Sequence, residues 1–359
     1  MKKLCFFISD INNSGGTERV TSLIANNLLS DDREIIILSL TGGDYPFFEL
    51  NDSIKFYSLF EKKISMKKNG LTAIIRLRRF ILKHEIDTLI AVDSILCVFA
   101  VPGLGFLKVK HICWEHFNFE ENLGIKFRGL GRKIAAKYCD NIITLTEKDK
   151  LLWQKGLANI KAEINAIPNP SPYENVASFP KFRNKTAIAL GRLTYQKSFD
   201  LLVEAWAKVY KIHPDWSLQI IGSGEDELKL KEQVKLLGIE KSVQFISVTQ
   251  NVVQYYEQAS LYCMSSRFEG LPMVLLEAQA FGLPVVAFDC NTGPSDLIQP
   301  GENGYLVPCF DTTLFAQAIM QVIELDETSY RLMCEKAKAK NSEFYCDKII
   351  NKWIEVIGN

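Results

Sequence analysis

Short, continuous apolar runs, each followed by a turn and a helical pattern, are the feature that most constrains the fold of this chain. Such runs occupy Leu4 to Ile8, Glu34 to Leu40, Ile54 to Leu59, Thr88 to Val92 and Asn141 to Leu145 in the first half. In the second half they occupy Thr186 to Leu190, Ser217 to Ile221, Ser242 to Ile246, Ala259 to Met264, Val285 to Phe288 and Tyr305 to Val307. Strands that are apolar throughout are typical of parallel sheets covered by helices on both faces. The sequence therefore predicts an α/β fold of two Rossmann-like, doubly wound domains, with ligands at the carboxyl ends of the strands.

A proline-rich segment divides the two halves. Pro168, Pro170 and Pro172 fall within five residues, and such a run cannot continue a helix or a central strand. We therefore predict an N-terminal domain over residues 1–167, a linker over 168–184 and a C-terminal domain over 185–345. The final segment, 346–359, is predicted to form a helix that packs back across the domain boundary through Trp353.

Composition excludes several classes of protein. A formal net charge of zero with 47% apolar residues is typical of a globular chain and argues against disorder or nucleic-acid binding. The nine cysteines form no C-x-x-C pair, and their odd number argues against a disulfide framework. The apolar start is too short for a signal peptide, and residues 88–107 are interrupted by Asp93 and Pro102, which favours a strand and a buried helix over a membrane span. We expect a cytoplasmic protein without a metal cofactor.

The stretch from Ser265 to Ala278 is the strongest candidate for a binding site. It follows an apolar run that ends at Met264, and Pro272 is predicted at the first position of a helix. The free N–H groups of Gly270, Leu271 and Met273 at that helix end would favour an anion.

Two acids flank the same helix start. Glu269 lies just before it and Glu277 about a turn and a half inside it. An isolated pair of this kind is usually a helix-end acid and a solvated residue, but Glu277 lies among apolar neighbours where a solvated acid is less expected. Carboxylates that hold hydroxyls beside an anion-binding helix end suit a polyhydroxylated phosphate ester.

Three further strand-to-helix turns carry weaker signals. Gly15 and Gly16 follow the first strand, and an ordinary turn explains them equally well. Arg192 and Lys197 follow the Thr186 to Leu190 strand and suit a diphosphate, although a bare pair of cations is also compatible with solvated side chains. A third turn, containing Gly222 and Gly224, is one glycine short of a dinucleotide fingerprint.

A histidine and a basic helix complete the candidates. His116 lies in apolar surroundings, where a histidine is most often a packed, hydrogen-bonded residue. Residues 62–83 contain eight lysines and arginines, no acid between Lys62 and Lys83, and an amphipathic helical pattern. That segment is compatible both with an anionic membrane surface and with an ordinary solvated helix face.

The glutamate, seven residues, glutamate spacing of 269–277 resembles the signature of a large family of retaining, nucleotide-sugar-dependent glycosyltransferases of the GT-B fold, glycosyltransferase family 4 or "glycosyl transferases group 1". The resemblance covers nearly the whole chain and is strongest from Ala187 to Pro308. The segment 289–296 is similar to a sub-group that builds bacterial surface polysaccharides with galactose-type or N-acetylhexosamine donors.

The resemblance implies a role for each candidate residue. Those placed at the diphosphate are Gly15, Gly16, Arg192, Lys197, Gly270 and Leu271, without a metal. Gly222 and Gly224 would lie against the nucleotide. Glu269 would hold sugar hydroxyls, Glu277 the ribose, and His116 the sugar near its reacting carbon.

The implied activity is transfer of a hexose or N-acetylhexosamine from a UDP-sugar to a glycan acceptor, lipid-linked, on the inner face of a bacterial membrane. Lipid-linked acceptors would favour a peripheral membrane contact through 62–83. The acceptor would bind the N-terminal domain and the nucleotide sugar the C-terminal domain. Two alternatives stay open, a sugar-nucleotide epimerase of the same fold and a non-catalytic nucleotide-sugar-binding scaffold. A dinucleotide oxidoreductase is weaker because the glycine fingerprint is imperfect.

Overall fold

The structure is a computed structural model that describes residues 1–42, 45–249 and 251–358, except for the side chains of Met66 and Lys67. Lys67, one of the cations of the basic segment, is therefore outside the described side chains. The chain divides into two compact units, the first made of Met1–Pro170 and Cys346–Asn359 and the second of Ser171–Tyr345.

The first unit alternates strands and helices. Its strands are β1 (Lys2–Ile8), β2 (Arg33–Thr41), β3 (Lys55–Phe60), β4 (Thr88–Val92), β5 (Lys110–Trp114), β6 (Asn141–Thr144) and β7 (Glu163–Ala166). Its helices are α1 (Gly16–Leu28), α2 (Met66–His84), α3 (Cys97–Leu104), α4 (Lys126–Tyr138) and α5 (Glu147–Gly156), together with the last helix of the chain. The strands form one parallel sheet in the order β3-β2-β1-β4-β5-β6-β7.

The second unit repeats this plan with a smaller sheet. Its strands are β8 (Thr186–Leu190), β9 (Ser217–Ile221), β10 (Val243–Ile246), β11 (Leu261–Met264), β12 (Val285–Phe288) and β13 (Gly304–Val307). Its helices are α6 (Phe199–Ile212), α7 (Glu227–Leu236), α8 (Val253–Gln258), α9 (Met273–Ala280), α10 (Pro294–Leu297), α11 (Thr312–Ile323) and α12 (Glu327–Asn341). The parallel strand order is β10-β9-β8-β11-β12-β13.

The final helix, α13 (Cys346–Ile357), belongs to the first unit although it is last in sequence. Trp353 is buried there, with its ring centroid 4.7 Å from that of Trp114 and 6.4 Å from that of Phe6. Edge-to-face and tilted aromatic packing of this kind adds to the apolar area that the ring removes from water. The chain end is thereby packed against the side chains of β1 and β5.

The two-domain α/β fold predicted from the apolar runs is confirmed. The predicted strands are all present within a residue or two, but β5 and β7 were not predicted. β5 opens on Lys110 and His111, and β7 has the sequence Glu-Ile-Asn-Ala, in which polar and apolar residues alternate. Residues 88–104 form β4, a single turn and α3, as predicted. Among the described residues, none of the helices has the length and apolar content needed to cross a bilayer.

Candidate active site

The strand order places a reversal point in each sheet. In the second unit the order reverses between β8 and β11, and in the first between β1 and β4. Ligands of open parallel sheets bind outside the carboxyl ends of the strands at such a point, because the two following loops diverge there and leave a crevice. The loops after β8 and β11 carry Arg192, Lys197 and Glu269, so the sequence candidates of the second unit share one reversal point.

Lys197 and Glu269 are brought together there. Nζ of Lys197 lies 2.7 Å from Oε1 of Glu269, and both side chains are largely shielded from water, with 19% and 9% of their surface exposed. The Arg192 side chain, in contrast, is exposed. A shielded ammonium held beside a carboxylate presents a positive charge and a hydroxyl acceptor within one small volume.

The loop that carries Glu269 is fastened to the loop that carries Lys197 by backbone-directed hydrogen bonds. The Arg267 N–H donates to the carbonyl of Gln196 (2.8 Å), and the Gln196 amide donates to the carbonyl of Phe268 (3.1 Å). The Ser265 hydroxyl donates to the carbonyl of Lys197 (2.8 Å). These bonds fix the Lys197–Glu269 pair from both sides.

The helix end beside Glu269 has unused donors. Helix α9 begins at Met273, with Pro272 as its N-cap, so the prediction of Pro272 at the first helical position was wrong by one residue. Within the described part of the chain, the N–H groups of Gly270, Leu271 and Met273 have no acceptor. Such groups at the N-terminus of a helix attract an anion.

Two neighbouring loops support this helix end. Gly293 has φ 97°, and a Cβ added to it would lie 2.6 Å from the carbonyl oxygen of Gly270, so only glycine fits. The Thr292 hydroxyl donates to the carbonyl of Glu269 at 2.6 Å. Residues 292 and 293 therefore fix the position of residues 269 and 270.

Glu277 is buried inside α9, and the hydroxyl of Tyr256 donates to its Oε2 at 2.7 Å. The Tyr256 ring is stacked on Phe281, with centroids 5.3 Å apart. Sequence reasoning missed Tyr256, because α8 is only six residues long and gives no periodic signal that would aim this ring at α9. The burial and this hydrogen bond exclude the interpretation of Glu277 as a solvated helix residue.

The glycine turn after β9 has a packing explanation. A Cβ on Gly222 would lie 1.9 Å from the carbonyl oxygen of Gly191, and one on Gly224 would lie 2.3 Å from that of Leu193. Both glycines thus permit the loops after β8 and β9 to touch backbone to backbone. Contact between this turn and a nucleotide stays a prediction.

In the first unit, Gly15 is the N-cap of α1 and Gly16 is its first residue, directly after the turn that follows β1. A Cβ on Gly15 would lie 2.5 Å from a carboxylate oxygen of Glu18. Both glycines lie at the N-terminus of α1, a helix of 13 residues, beside the β1–β4 reversal point.

His116 follows β5 and is buried, with its ring 4.4 Å from that of Trp114. Burial lowers the pKa of His116 to about 3, so the imidazole is neutral at pH 7. Within the described residues, its buried Nε2 has no hydrogen-bond partner. A neutral ring with an unused nitrogen is suited to a hydrogen bond with a ligand hydroxyl.

Glu115 holds the loop of His116. Its Oε1 accepts the N–H groups of His116 (3.1 Å) and Phe117 (3.2 Å), and its Oε2 accepts from Nε of Arg132 (3.0 Å). Burial opposes its ionisation, but the Arg132 and Arg128 guanidinium groups lower the pKa of Glu115 below its usual value. Glu115 is fully enclosed, so it orients the backbone at His116.

Arg132 extends this support over the following loop. Its guanidinium donates to the carbonyls of Asn118 (2.9 Å) and Glu121 (2.8 Å) and to that of Phe119. Hydrogen bonds from a charged donor are stronger than those between neutral groups, so this guanidinium holds the loop in place. The sequence indicated only that Arg132 was basic.

Comparisons with known proteins agree with this architecture. The family model "Glycosyltransferase Family 4" matches residues 14–171, and "Glycosyl transferases group 1" matches residues 175–340. An "uncharacterized glycosyltransferase" of Haemophilus influenzae is 38% identical over 98% of this chain and 99% of its own length. An alpha-1,4-N-acetyl-D-galactosaminyltransferase of Campylobacter jejuni, named for an acceptor with two GalNAc units on diNAcBac-PP-undecaprenol, is 28% identical over 100% and 99% of the two chains.

A solved structure is similar over the full length. A mutant TarM of S. aureus, in complex with Fondaparinux, alpha-GlcNAc-glycerol and UDP, superposes with a TM-score of 0.82 at 16% identity and covers 100% of both chains. At that identity the likeness establishes the GT-B fold alone. The two family models and the 38% identical relative show that the chain belongs to the glycosyltransferases of group 1 and family 4.

Proposed function

We propose that this glycosyltransferase transfers a hexose or N-acetylhexosamine, of galactose or GalNAc type, from a UDP-sugar to a lipid-linked glycan acceptor with retention of configuration. The product would serve bacterial polysaccharide biosynthesis, as O-antigen, capsule or exopolysaccharide. The observation that carries the proposal is the Lys197–Glu269 pair at the β8–β11 reversal point, beside the unused N–H groups of Gly270 and Leu271.

The proposed chemical role of the site is to stabilise the negative charge that develops on the leaving group. When the bond from the sugar to the nucleoside diphosphate breaks, negative charge grows on the leaving phosphate, and positioned donors stabilise that charge. Lys197, with Arg192 and the free N–H groups at the start of α9, would supply those donors without a metal. In the first unit, Gly15 and Gly16 lie at the N-terminus of α1, a helix end that favours an anion.

The carboxylates would select the sugar nucleotide. Glu269, fixed by Thr292 and by Lys197, would accept hydroxyls of the donor sugar. Glu277, oriented by Tyr256, would accept the ribose hydroxyls. In the first unit, His116 would offer a neutral ring to a sugar, whereas a cationic imidazole would oppose the positive charge of an oxocarbenium-like transition state.

Two similar proteins support the proposed classes of donor and acceptor. The similar S. aureus structure contains UDP, and the C. jejuni relative is named for GalNAc transfer to a PP-undecaprenol-linked glycan. Both support a UDP-sugar and a lipid-linked acceptor for this chain.

A peripheral membrane contact through 62–83 is part of the proposal. Helix α2 exposes Leu71, Ile75 and Leu82, which suits insertion into a lipid headgroup region. Two of its cations make hydrogen bonds within the protein. Arg76 donates to the carbonyl of Leu59, and Arg78 donates to those of Gly103 and Gly105. The remaining cations of the segment would attract anionic lipid.

Transfer to an acceptor tests the activity itself. The purified chain is incubated with UDP-GalNAc, UDP-galactose, UDP-GlcNAc or UDP-glucose, with and without a short-chain polyprenyl-diphosphate-linked N-acetylhexosamine. We expect one donor to release UDP in step with a glycosylated acceptor, and the new linkage to keep the donor's α configuration by NMR. The variant Glu269→Gln is expected to lose turnover, whereas the exposed control Glu324→Gln keeps it.

The same assay separates the alternatives. Conversion of one UDP-sugar to its epimer without acceptor would indicate an epimerase. Binding of a UDP-sugar with neither transfer nor epimerisation would indicate a scaffold. A β-configured product would refute retention while leaving the transferase assignment intact.

A further inference from the structure

Three metal-binding side chains from distant parts of the sequence meet in the core of the first unit. Cys97 begins α3, His111 lies in β5 and Cys139 follows α4, and all three are buried. Sγ of Cys139 lies 4.0 Å from Sγ of Cys97 and 3.4 Å from Nδ1 of His111. One donor atom from each lies within 4.8 Å of both others.

These separations are close to those around a tetrahedral zinc ion. Zinc binds thiolate at about 2.3 Å and imidazole at about 2.0–2.1 Å, so tetrahedral angles place two sulfurs roughly 3.8 Å apart and a sulfur and a nitrogen roughly 3.5 Å apart. Sγ of Cys139 is also 3.9 Å from Nε2 of His111, so it faces the ring between the two nitrogens.

The ring nitrogens of His111 are poorly satisfied by hydrogen bonds. Within the described residues, the sulfur of Cys139 is the only hydrogen-bond partner that they have. A buried imidazole with only a weak thiol partner gives up much of its hydrogen bonding to water, a cost that a metal ion would offset.

The backbone holds the ligands in place. The N–H of His111 donates to the carboxylate of Asp140 (2.7 Å), and the N–H of Asp140 donates to the carbonyl of His111 (2.9 Å). This reciprocal pair ties β5 to the turn that carries Cys139. A rigid frame of this kind keeps the donor atoms close before any ion binds.

Cys113 lies close to this cluster but outside it. It is two residues after His111 on β5 and therefore on the same face of the sheet, and it is fully buried, but its sulfur is not among the donor atoms that lie within 4.8 Å of one another. The three clustered side chains supply three of the four positions of a tetrahedral zinc site. This cluster is separate from the residues proposed for glycosyl transfer. Among those of the first unit, His116 lies in the loop after the carboxyl end of β5, outside the cluster.

We propose that Cys97, His111 and Cys139 bind one structural Zn²⁺ that joins α3, β5 and the end of α4, and that Cys113 takes the fourth position after a change of its side-chain rotamer. The ion is enclosed, so it would enter during folding and would resist chelators in the native state. This inference is independent of the donor, the acceptor and the stereochemistry proposed above.

Metal content tests the site directly. The full chain is expressed in reducing, zinc-supplemented medium, purified without metal-affinity resin or chelator, and analysed by mass spectrometry for metals. We expect about one zinc per chain, and at least a tenfold lower content in Cys139→Ser and in His111→Asn. Cys263→Ser is the matched control, because Cys263 is a buried cysteine in the core of the second unit.

Cobalt gives a readout that does not depend on the variants folding. The parent chain is unfolded with a chelator, freed of metal and refolded with Co²⁺. Tetrahedral thiolate coordination would produce an intense sulfur-to-cobalt charge-transfer band and strong visible d–d bands. A parent chain that purifies without stoichiometric zinc and shows no such bands would overturn the proposal, as would equal zinc contents in the parent and in folded Cys139→Ser.

Discussion

The ammonium of Lys197 lies 2.7 Å from the carboxylate of Glu269, although 72 residues separate them in the chain. Their loops follow β8 and β11, which are adjacent strands at the point where the order of the second sheet reverses. Loops at such a point can hold a ligand between them because no connection crosses the crevice. The pair is therefore the centre of the proposed donor site.

Removal of the Tyr256 hydroxyl tests whether it orients Glu277. Tyr256→Phe leaves the aromatic stack intact and deletes the 2.7 Å hydrogen bond. We expect a several-fold rise in KM for the sugar nucleotide with kcat nearly unchanged, and a loss of about 1 kcal/mol in unfolding free energy.

Tyr330→Phe is the matched control for that change. The Tyr330 hydroxyl is also buried in the second unit and donates to the carbonyl of Ser260 at 2.7 Å. Its loss should lower stability by a similar amount and leave KM unaltered. Equal KM values for Tyr256→Phe and the parent would show that Tyr256 has only a structural role.

Gly222 is predicted to be intolerant of any side chain. In Gly222→Ala the new Cβ would meet the carbonyl oxygen of Gly191 at 1.9 Å, and φ is 153°, so the two loops must separate. We expect a loss of at least about 3 kcal/mol in chemical denaturation, together with weaker nucleotide binding.

Gly238→Ala separates backbone strain from the clash. Gly238 has φ 66°, and a Cβ there would meet nothing within 4 Å. That variant should lose only about 1 kcal/mol. Similar losses in the two variants would mean that close packing of the loops after β8 and β9 is not what requires glycine at 222.

Asp149 is predicted to make stability depend on pH. Burial raises the pKa of Asp149 to about 7, far above its value of about 3.9 in an unfolded chain. Between these values the folded state binds the extra proton, so this group's contribution to unfolding free energy is present at pH 4 and is lost as the pH rises through about 7.

The variant Asp149→Asn should remove that dependence. The amide keeps an oxygen for the N–H of Phe119, which Asp149 accepts at 2.7 Å, but it cannot ionise. We expect the parent to lose roughly 2–4 kcal/mol relative to the variant between pH 5 and pH 8. Urea titrations at four pH values measure this difference in unfolding free energy. A constant difference between the parent and the variant across these pH values would contradict a raised pKa at the buried Asp149.

The fold and the main site were accessible from the sequence because both depend on local patterns. Continuous apolar runs marked nearly every strand, and the 269–277 spacing marked the loop and helix that hold Glu269 and Glu277. Two strands escaped prediction because neither is a continuous apolar run. In β7 polar and apolar residues alternate, and β5 opens on polar residues.

The supports of the site were not accessible because they are long-range. Tyr256 reaches Glu277 from another helix, Thr292 reaches the carbonyl of Glu269 from the loop after β12, and Arg132 gathers carbonyls of an earlier loop. No spacing within the sequence predicts these pairs. The same holds for Cys97, His111 and Cys139, which are metal-ligand types without metal-ligand spacing.

Binding of UDP to Lys197 variants is the most direct test of the central claim that the β8–β11 reversal point is the donor site. Calorimetry would compare the parent with Lys197→Met and with Lys208→Met, a control that removes an outer lysine of α6. Loss of one charged donor to a diphosphate should weaken UDP binding by about 10- to 100-fold. We expect that loss for Lys197→Met and an unchanged affinity for Lys208→Met, whereas equal affinities in the parent and Lys197→Met would contradict the account.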